Sequence, residues 1–177
     1  LTSKVVWSDD FSKGLDAFKR GDYTTALSEW RLLATEQGHI GAQFNLGLMF
    51  DNGYGVPKDY KTAVEWYKLA ADQENSGAQH NLGWLFDNGG YGIQQDKKIA
   101  VKWYTLAAKQ GNAYAQFNLG LMYRKGEGVS QNNETAVKWY TLAAEQGDVD
   151  AQFNLGNMYS QEGVLQDYKT AVKWYTL

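Results

Sequence analysis

Two helical stripes alternate along this chain. Ala42, Leu46, Met49 and Phe50 fall at i, i+4, i+7 and i+8, one face of an amphipathic α-helix. Further on, Ala63, Trp66, Tyr67 and Ala70 fall at i, i+3, i+4 and i+7. Val64, Leu69 and Ala71 widen that second stripe until it suits a helix packed on two sides. Between the stripes, residues 51–59 break the pattern. Gly53 and Gly55 supply freedom for positive φ, Pro57 cannot continue a helix, and Asp59 stands where an N-cap belongs. The pattern predicts a helix, a turn and a second helix.

That hairpin is written several times. AQFNLGLMF from Ala42 returns as AQHNLGWLF from Ala78, AQFNLGLMY from Ala115 and AQFNLGNMY from Ala151, at intervals of 36, 37 and 36 residues. AVEWYKLAA from Ala63 returns as AVKWYTLAA from Ala100 and Ala136 and as AVKWYTL from Ala171, with a worn copy, ALSEWRLLA, from Ala26. A period of this size means stacked helical hairpins rather than one closed globule. Asp96, Asn132 or Asn133, and Asp167 repeat the N-cap of Asp59, and Gly38, Gly111 and Gly147 are placed to end helices in the left-handed conformation. Glu74 stands where those glycines do, so Asn75 is expected to take the left-handed position there. Gly47, Gly83, Gly120 and Gly156 lie inside helices, where each costs about 1 kcal/mol relative to alanine. A cost repeated in every copy points to close approach of a neighbouring helix.

The phrases A-x-x-x-L-G-x-M-Y-x-x-G-x-G-V and A-V-x-W-Y-x-x-A-A-x-x-G resemble the Sel1-like repeat, a relative of the tetratricopeptide repeat with a longer loop between its helices. The resemblance covers residues 42–177. Residues 11–38 are more loosely similar to a tetratricopeptide unit, with a short Gly-Asp-Tyr turn and Asp22 as N-cap. On this reading residues 1–10 are an N-terminal extension and 11–41 a tetratricopeptide-like helix pair. Residues 42–77, 78–114, 115–150 and 151–177 are Sel1-like repeats, the last incomplete. The resemblance implies an all-α fold: a right-handed superhelical solenoid of antiparallel helix pairs, with first helices lining a concave groove. It also implies a role in holding other proteins together.

Composition narrows the partners. The chain is 44% hydrophobic and 21% charged, ordinary for a folded soluble protein. Its net charge is −3 and it has no basic run, which argues against nucleic acid. No apolar run approaches the roughly 18 residues of a membrane span, so no membrane insertion is expected. The absence of cysteine removes disulfides, thiol catalysis and sulfur-based zinc sites. No signal-peptide pattern occurs in these residues, but Leu1 in place of a methionine points to an upstream segment outside them. The last copy stops at Thr176-Leu177, before the alanines and glycine that finish earlier copies, so further repeats are expected to follow.

A repeat also lets the chain be compared with itself. Positions identical in every copy, namely Ala42, Leu46, Gly47, Ala63, Trp66, Tyr67 and their equivalents, are assigned to packing. Trp30, Trp66, Trp103, Trp139 and Trp174 go with them, because aromatics at helical spacing usually pack. The other face of the first helix varies. It reads Phe44, Asn45 and Leu48, then His80, Asn81 and Trp84, then Phe117, Asn118 and Leu121, then Phe153, Asn154 and Asn157. Tyr114 begins one such helix where Gly41 and Gly77 begin others, and Arg124 and Ser160 stand one turn on, where Asp51 and Asp87 stand in earlier copies.

By the resemblance, this face lines the groove and binds a protein or peptide. Trp84, large and apolar where other copies carry leucine or asparagine, is favoured as an interface anchor over packing into the next repeat. The asparagines have two open readings, holding a partner's backbone or bonding between repeats. The phenylalanines and leucines either contact the partner or pack between repeats.

Other chemistry finds little support. Neither His39 nor His80 has a second ligand at helical spacing, so no metal is expected. The GYGV and GEGV loops follow helices and lack a P-loop lysine. Asp51-Asn52-Gly53 lacks the acidic residue that would complete a calcium loop. There is no G-x-S-x-G and no carboxylate pair fixed on one helix. The expectation is a non-catalytic interaction scaffold or adaptor without cofactors. The alternatives are a β-lactam-binding or hydrolysing enzyme, as linked to cysteine-rich members of the family, or a carbohydrate-binding solenoid in which Trp84 and Tyr114 stack on sugar rings.

Overall fold

A computed structural model describes residues 6–90, 92–160 and 167–175. Thr176-Leu177, on which the expectation of further repeats rests, lies outside the described residues. Among the described residues ten helices follow in order: α1 Val6–Lys19, α2 Tyr23–Glu36, α3 Ile40–Asn52, α4 Tyr60–Ala71, α5 Ser76–Asn88, α6 Lys97–Lys109, α7 Ala113–Lys125, α8 Asn133–Glu145, α9 Val149–Ser160 and α10 Tyr168–Tyr175. They form two compact units. The first holds the described residues up to Leu82 together with 89–94; the second holds 83–88 and the described residues from Gln95 onward. Helix α5 contributes to both.

Helices adjacent in the chain pack on one another: α1 on α2, α2 on α3 and α3 on α4 in the first unit, and α6 through α10 in succession in the second. The cores are the predicted stripes. Ala26, Trp30, Leu33, Ala42, Leu46 and Met49 cluster in the first unit; Ala100, Tyr104, Ala107, Ala115, Leu119 and Met122 form the matching cluster in the second.

The helix starts follow the expected caps. Asp22 accepts from Thr25 N, Asp59 from Lys61 N and Thr62 N, Asp96 from Ile99 N, and Asp167 from Lys169 N and Thr170 N. Between Asn132 and Asn133 it is Asn132 that caps, accepting from Thr135 N. Gly53 closes α3 at φ 78°, sending its N–H back to Met49 O. The expectation for Asn75 fails. Glu74 itself takes the left-handed conformation at φ 64°, because Asn75 is needed elsewhere: its Oδ1 caps α5 by accepting from Ala78 N at 2.8 Å.

Gly47, Gly83 and Gly120 share one cause. A Cβ on Gly120 would come within 2.7 Å of the Tyr140 ring, and one on Gly83 within 2.5 Å of Tyr104. Gly47 lies under Tyr67 in the same way. In these three repeats the tyrosine of the second helix lies over the glycine of the first, and a methyl group would take its place. Tyr67, Tyr104 and Tyr140 are fully buried, whereas Trp66, Trp103 and Trp139 beside them are only half-buried. The tyrosine, more than the tryptophan, fills the space between the helices.

Candidate functional site on the first helices

All fourteen residues assigned to partner binding lie on α3, α5, α7 and α9, the first helix of each repeat. Some of them also pack: Phe117 and Leu121 lie against the buried core of the second unit. Exposure divides the set. Trp84, Tyr114 and Phe153 stand open to solvent, with 46%, 69% and 58% of their surface accessible. Phe44, Asn45, Leu48, His80, Asn81, Phe117, Asn118, Leu121, Arg124, Asn154 and Asn157 are half-buried.

Packing between repeats explains part of that burial. In the first unit the Phe44 ring covers the start of α5, where a Cβ on Gly77 would meet it at 3.2 Å, and its centroid is 6.0 Å from that of Tyr67. Phe11 covers Gly41 at the start of α3 in the same manner. In the second unit Phe117 lies 5.7 Å from Tyr140. Phe44 and Phe117 are thus packing residues in part, which leaves Trp84, Tyr114 and Phe153 as the exposed aromatics of the row. Tyr114 borders an open concavity of about 300 Å³ lined also by Gln146, Asp148, Val149 and Asp150.

The asparagines do not act alike. Asn81 pairs with His80 Nδ1 at 3.1 Å and bonds the Tyr67 hydroxyl. Asn154 turns back on its own helix and donates to Asp150 O at 2.7 Å. Burial holds His80 below the ordinary histidine value, partly countered by the bond to Asn81. His39, the other histidine, is the N-cap of α3: its Nδ1 accepts from Ala42 N, and its ring stacks on Phe11. Among the described residues no group of three or more His, Asp or Glu side chains is placed to hold a metal ion.

Beneath this face runs a polar layer that the sequence reading missed. The Tyr67 hydroxyl donates to Asp51 Oδ2 at 2.9 Å. Burial pushes the Asp51 carboxyl up, against the lowering effect of that bond, and burial with the Asp51 charge pushes Tyr67 up. In the second unit Asp87 pairs with Lys97, which also reaches Glu127 at 3.1 Å. Arg124 takes the Asp51 position in the next repeat, and among the described residues the buried Tyr140 hydroxyl there has no hydrogen-bond partner.

A second layer stitches repeats together. Gln43, Gln79, Gln116 and Gln152 donate to the backbone oxygens of Ala34, Ala71, Ala108 and Ala144 on the preceding second helix. Gln43 and Gln116 accept in turn from Gln73 and Gln146, at 2.8 and 2.7 Å. The signal was present, since this glutamine follows the first alanine of every copy.

Antiparallel helix pairs repeated at this period, on glycine-tyrosine contacts and a glutamine ladder, define an all-α repeat protein of the solenoid class. The Sel1 repeat family model matches residues 40–75, 76–112, 113–148 and 149–177, and the chain belongs to that family. A protective antigen from uropathogenic Escherichia coli with an SLR fold is similar at 38% identity and a TM-score of 0.88, over 96% of this chain and 37% of that one. A Sel1 repeat protein from Oxalobacter formigenes is similar at 34% identity and a TM-score of 0.84, over 94% of this chain and 68% of that one. The DAP3-binding cell death enhancer 1 of Rattus norvegicus is 41% identical over 51 residues, 29% of this chain and 10% of that protein. Proteins of this repeat class are commonly interaction scaffolds and typically non-catalytic. No helix among the described residues is long and apolar enough to cross a membrane.

Proposed function

We propose that this chain is a non-catalytic adaptor that binds a segment of a protein partner along the exposed face of its first helices. The observation that carries the reading is Trp84. Its frame is buried, with Leu82, Gly83 and Leu85 all inside, yet Trp84 is 46% accessible where other copies place leucine or asparagine. A large, rigid aromatic held open on an ordered helix is a typical interface anchor. Tyr114 is a further exposed aromatic of the same unit. The name of the rat relative, which records binding to another protein, agrees with this reading.

The test is capture from native extract, read by mass spectrometry. Wild type is compared with Trp84→Ala/Phe153→Ala and with Leu106→Ala/Leu142→Ala, a control pair that is 46% and 43% exposed on the second helices. A protein retained by wild type and by the leucine pair, but lost from the aromatic pair, supports the assignment. Loss from the leucine pair alone moves the site to the second helices and overturns it.

A further inference from the structure

Among the described residues the buried Tyr140 hydroxyl lacks the partner that the Tyr67 hydroxyl has. Tyr67 and Tyr140 occupy the same place in their repeats, each fully buried and each lying on the glycine of the first helix. Tyr67 donates to Asp51, four residues beyond Gly47. The residue four beyond Gly120 is Arg124, so the acceptor has been replaced by a cation. The other partner has left as well: Asn81 bonds Tyr67, but its equivalent Asn154 donates to Asp150 O. Among the described residues the Tyr140 hydroxyl is therefore left without a hydrogen-bond partner. An unmet buried polar group is costly, and the Tyr67 hydroxyl shows how the same position is satisfied by a carboxylate.

The cation is also unmatched. Arg124 is half-buried, and among the described residues its side chain forms no ion pair; the nearby carboxylate of Glu127 is taken by Lys97 and Lys125. Arg124 lies close enough to Tyr140 for its charge to oppose the rise in the phenol's pKa caused by burial, a rise that reaches about 12. A donor hydroxyl and a planar guanidinium are thus grouped where the sister repeat holds a carboxylate.

We infer that Arg124 and Tyr140 form a receptor for an aspartate or glutamate side chain of the partner protein. The guanidinium offers a paired donor fork to the carboxylate, and the phenol donates beneath it. A short acidic side chain, rather than a chain terminus, is the occupant because Asp51 already makes the intramolecular version of this bond. Arginine has a long, rotatable stem, so its swing outward opens the hydroxyl to the incoming oxygen. This inference rests on the adaptor reading and gives that reading a chemical preference: acidic segments, read at the third Sel1 repeat.

The test uses the full chain and the blocked peptide Ac-Gly-Gly-Asp-Gly-Gly-NH2, followed through the Arg124 Nε–H and Tyr140 ring resonances. The comparison probes are the same peptide with Asn for Asp, and Ac-Gly-Gly-Gly-Gly-Gly with a free carboxyl terminus. The expected result is saturable shifts with the Asp peptide and binding about tenfold or more weaker with the Asn peptide. Arg124→Asp should abolish binding while raising the melting temperature, because the new carboxylate accepts from Tyr140 internally. Tyr140→Phe should weaken binding several-fold with the Arg124 shifts retained. Equal binding of the Asp and Asn peptides, no saturation with the Asp peptide, or binding that survives Arg124→Asp overturns the inference. Binding of the free-terminus peptide alone overturns the choice of a side chain. Capture that still depends on Trp84 while the Asp peptide fails removes this receptor and leaves the adaptor reading in place.

Discussion

Substituting alanine for Gly120 opposes two energies of known size. Alanine is the better helix former, by about 1 kcal/mol at an interior position. The space is not there, however. The added Cβ would lie 2.7, 2.8 and 3.2 Å from Cδ1, Cε1 and Cγ of Tyr140, and ordinary contact begins at 3.4 Å, a shortfall of 0.7 Å at the nearest atom. The ring is fully buried and has Phe117 on its flank, so it has no open side to move into. Overpacking of this kind costs roughly 1–3 kcal/mol, and three ring atoms inside the limit place Gly120→Ala near the upper end. The net expectation is a loss of about 2 kcal/mol after the propensity gain. Native-state hydrogen exchange of the α7 and α8 amides reads it locally, which suits a repeat protein whose unfolding is not all-or-none. Repeating the substitution on Tyr140→Ala, with a stabilising osmolyte in every sample, removes the clash. There Gly120→Ala should become stabilising, by about 1 kcal/mol. A loss of equal size in both backgrounds would refute the glycine-tyrosine contact as the reason for the repeated glycine.

Two further substitutions test local conclusions. Glu74→Gly should stabilise the α4–α5 connection by about 0.5–1 kcal/mol, because glycine takes the left-handed conformation without the penalty a side chain carries; slower exchange in α4 and α5 supports this, and faster exchange contradicts it. His80 has a folded-state value below its unfolded one, so the unfolded chain binds the proton first. Stability is then complete above the unfolded histidine value, about pH 6.5, and is lost as pH falls through the window toward the folded value. His80→Phe, the residue that the other copies carry, should flatten the fall in melting temperature between about pH 7 and pH 5. Parallel curves for the two proteins would count against burial of a neutral imidazole.

Much of the architecture is local, and local rules are written in sequence. The i, i+3, i+4, i+7 stripes set helix faces, and side chains such as Asp59 and Asn132 set where helices begin. The fixed period then places each hairpin against its neighbour. That the variable positions fall on the first helices was legible for the same reason, although Phe117 and Leu121 beside the Leu-Gly pair pack partly against the core. What local rules could not settle was competition between neighbours. Glu74 or Asn75 could take the left-handed position, and the choice fell to Glu74 only because Asn75 caps the next helix.

Tertiary structure decided which variable residues stay open. Phe44 covers the start of α5 and is half-buried, whereas Trp84, on that same α5, is 46% accessible. No periodicity records that accessibility. The polar layer also needed three dimensions. Tyr67, Asp51 and Asn81 are distant in sequence and meet only when helices pack, and the same packing leaves the Tyr140 hydroxyl beside Arg124 instead of a carboxylate. Helix faces and caps follow from the spacing of residues along one chain segment, whereas accessibility and hydrogen-bond satisfaction depend on what another segment brings to the same place.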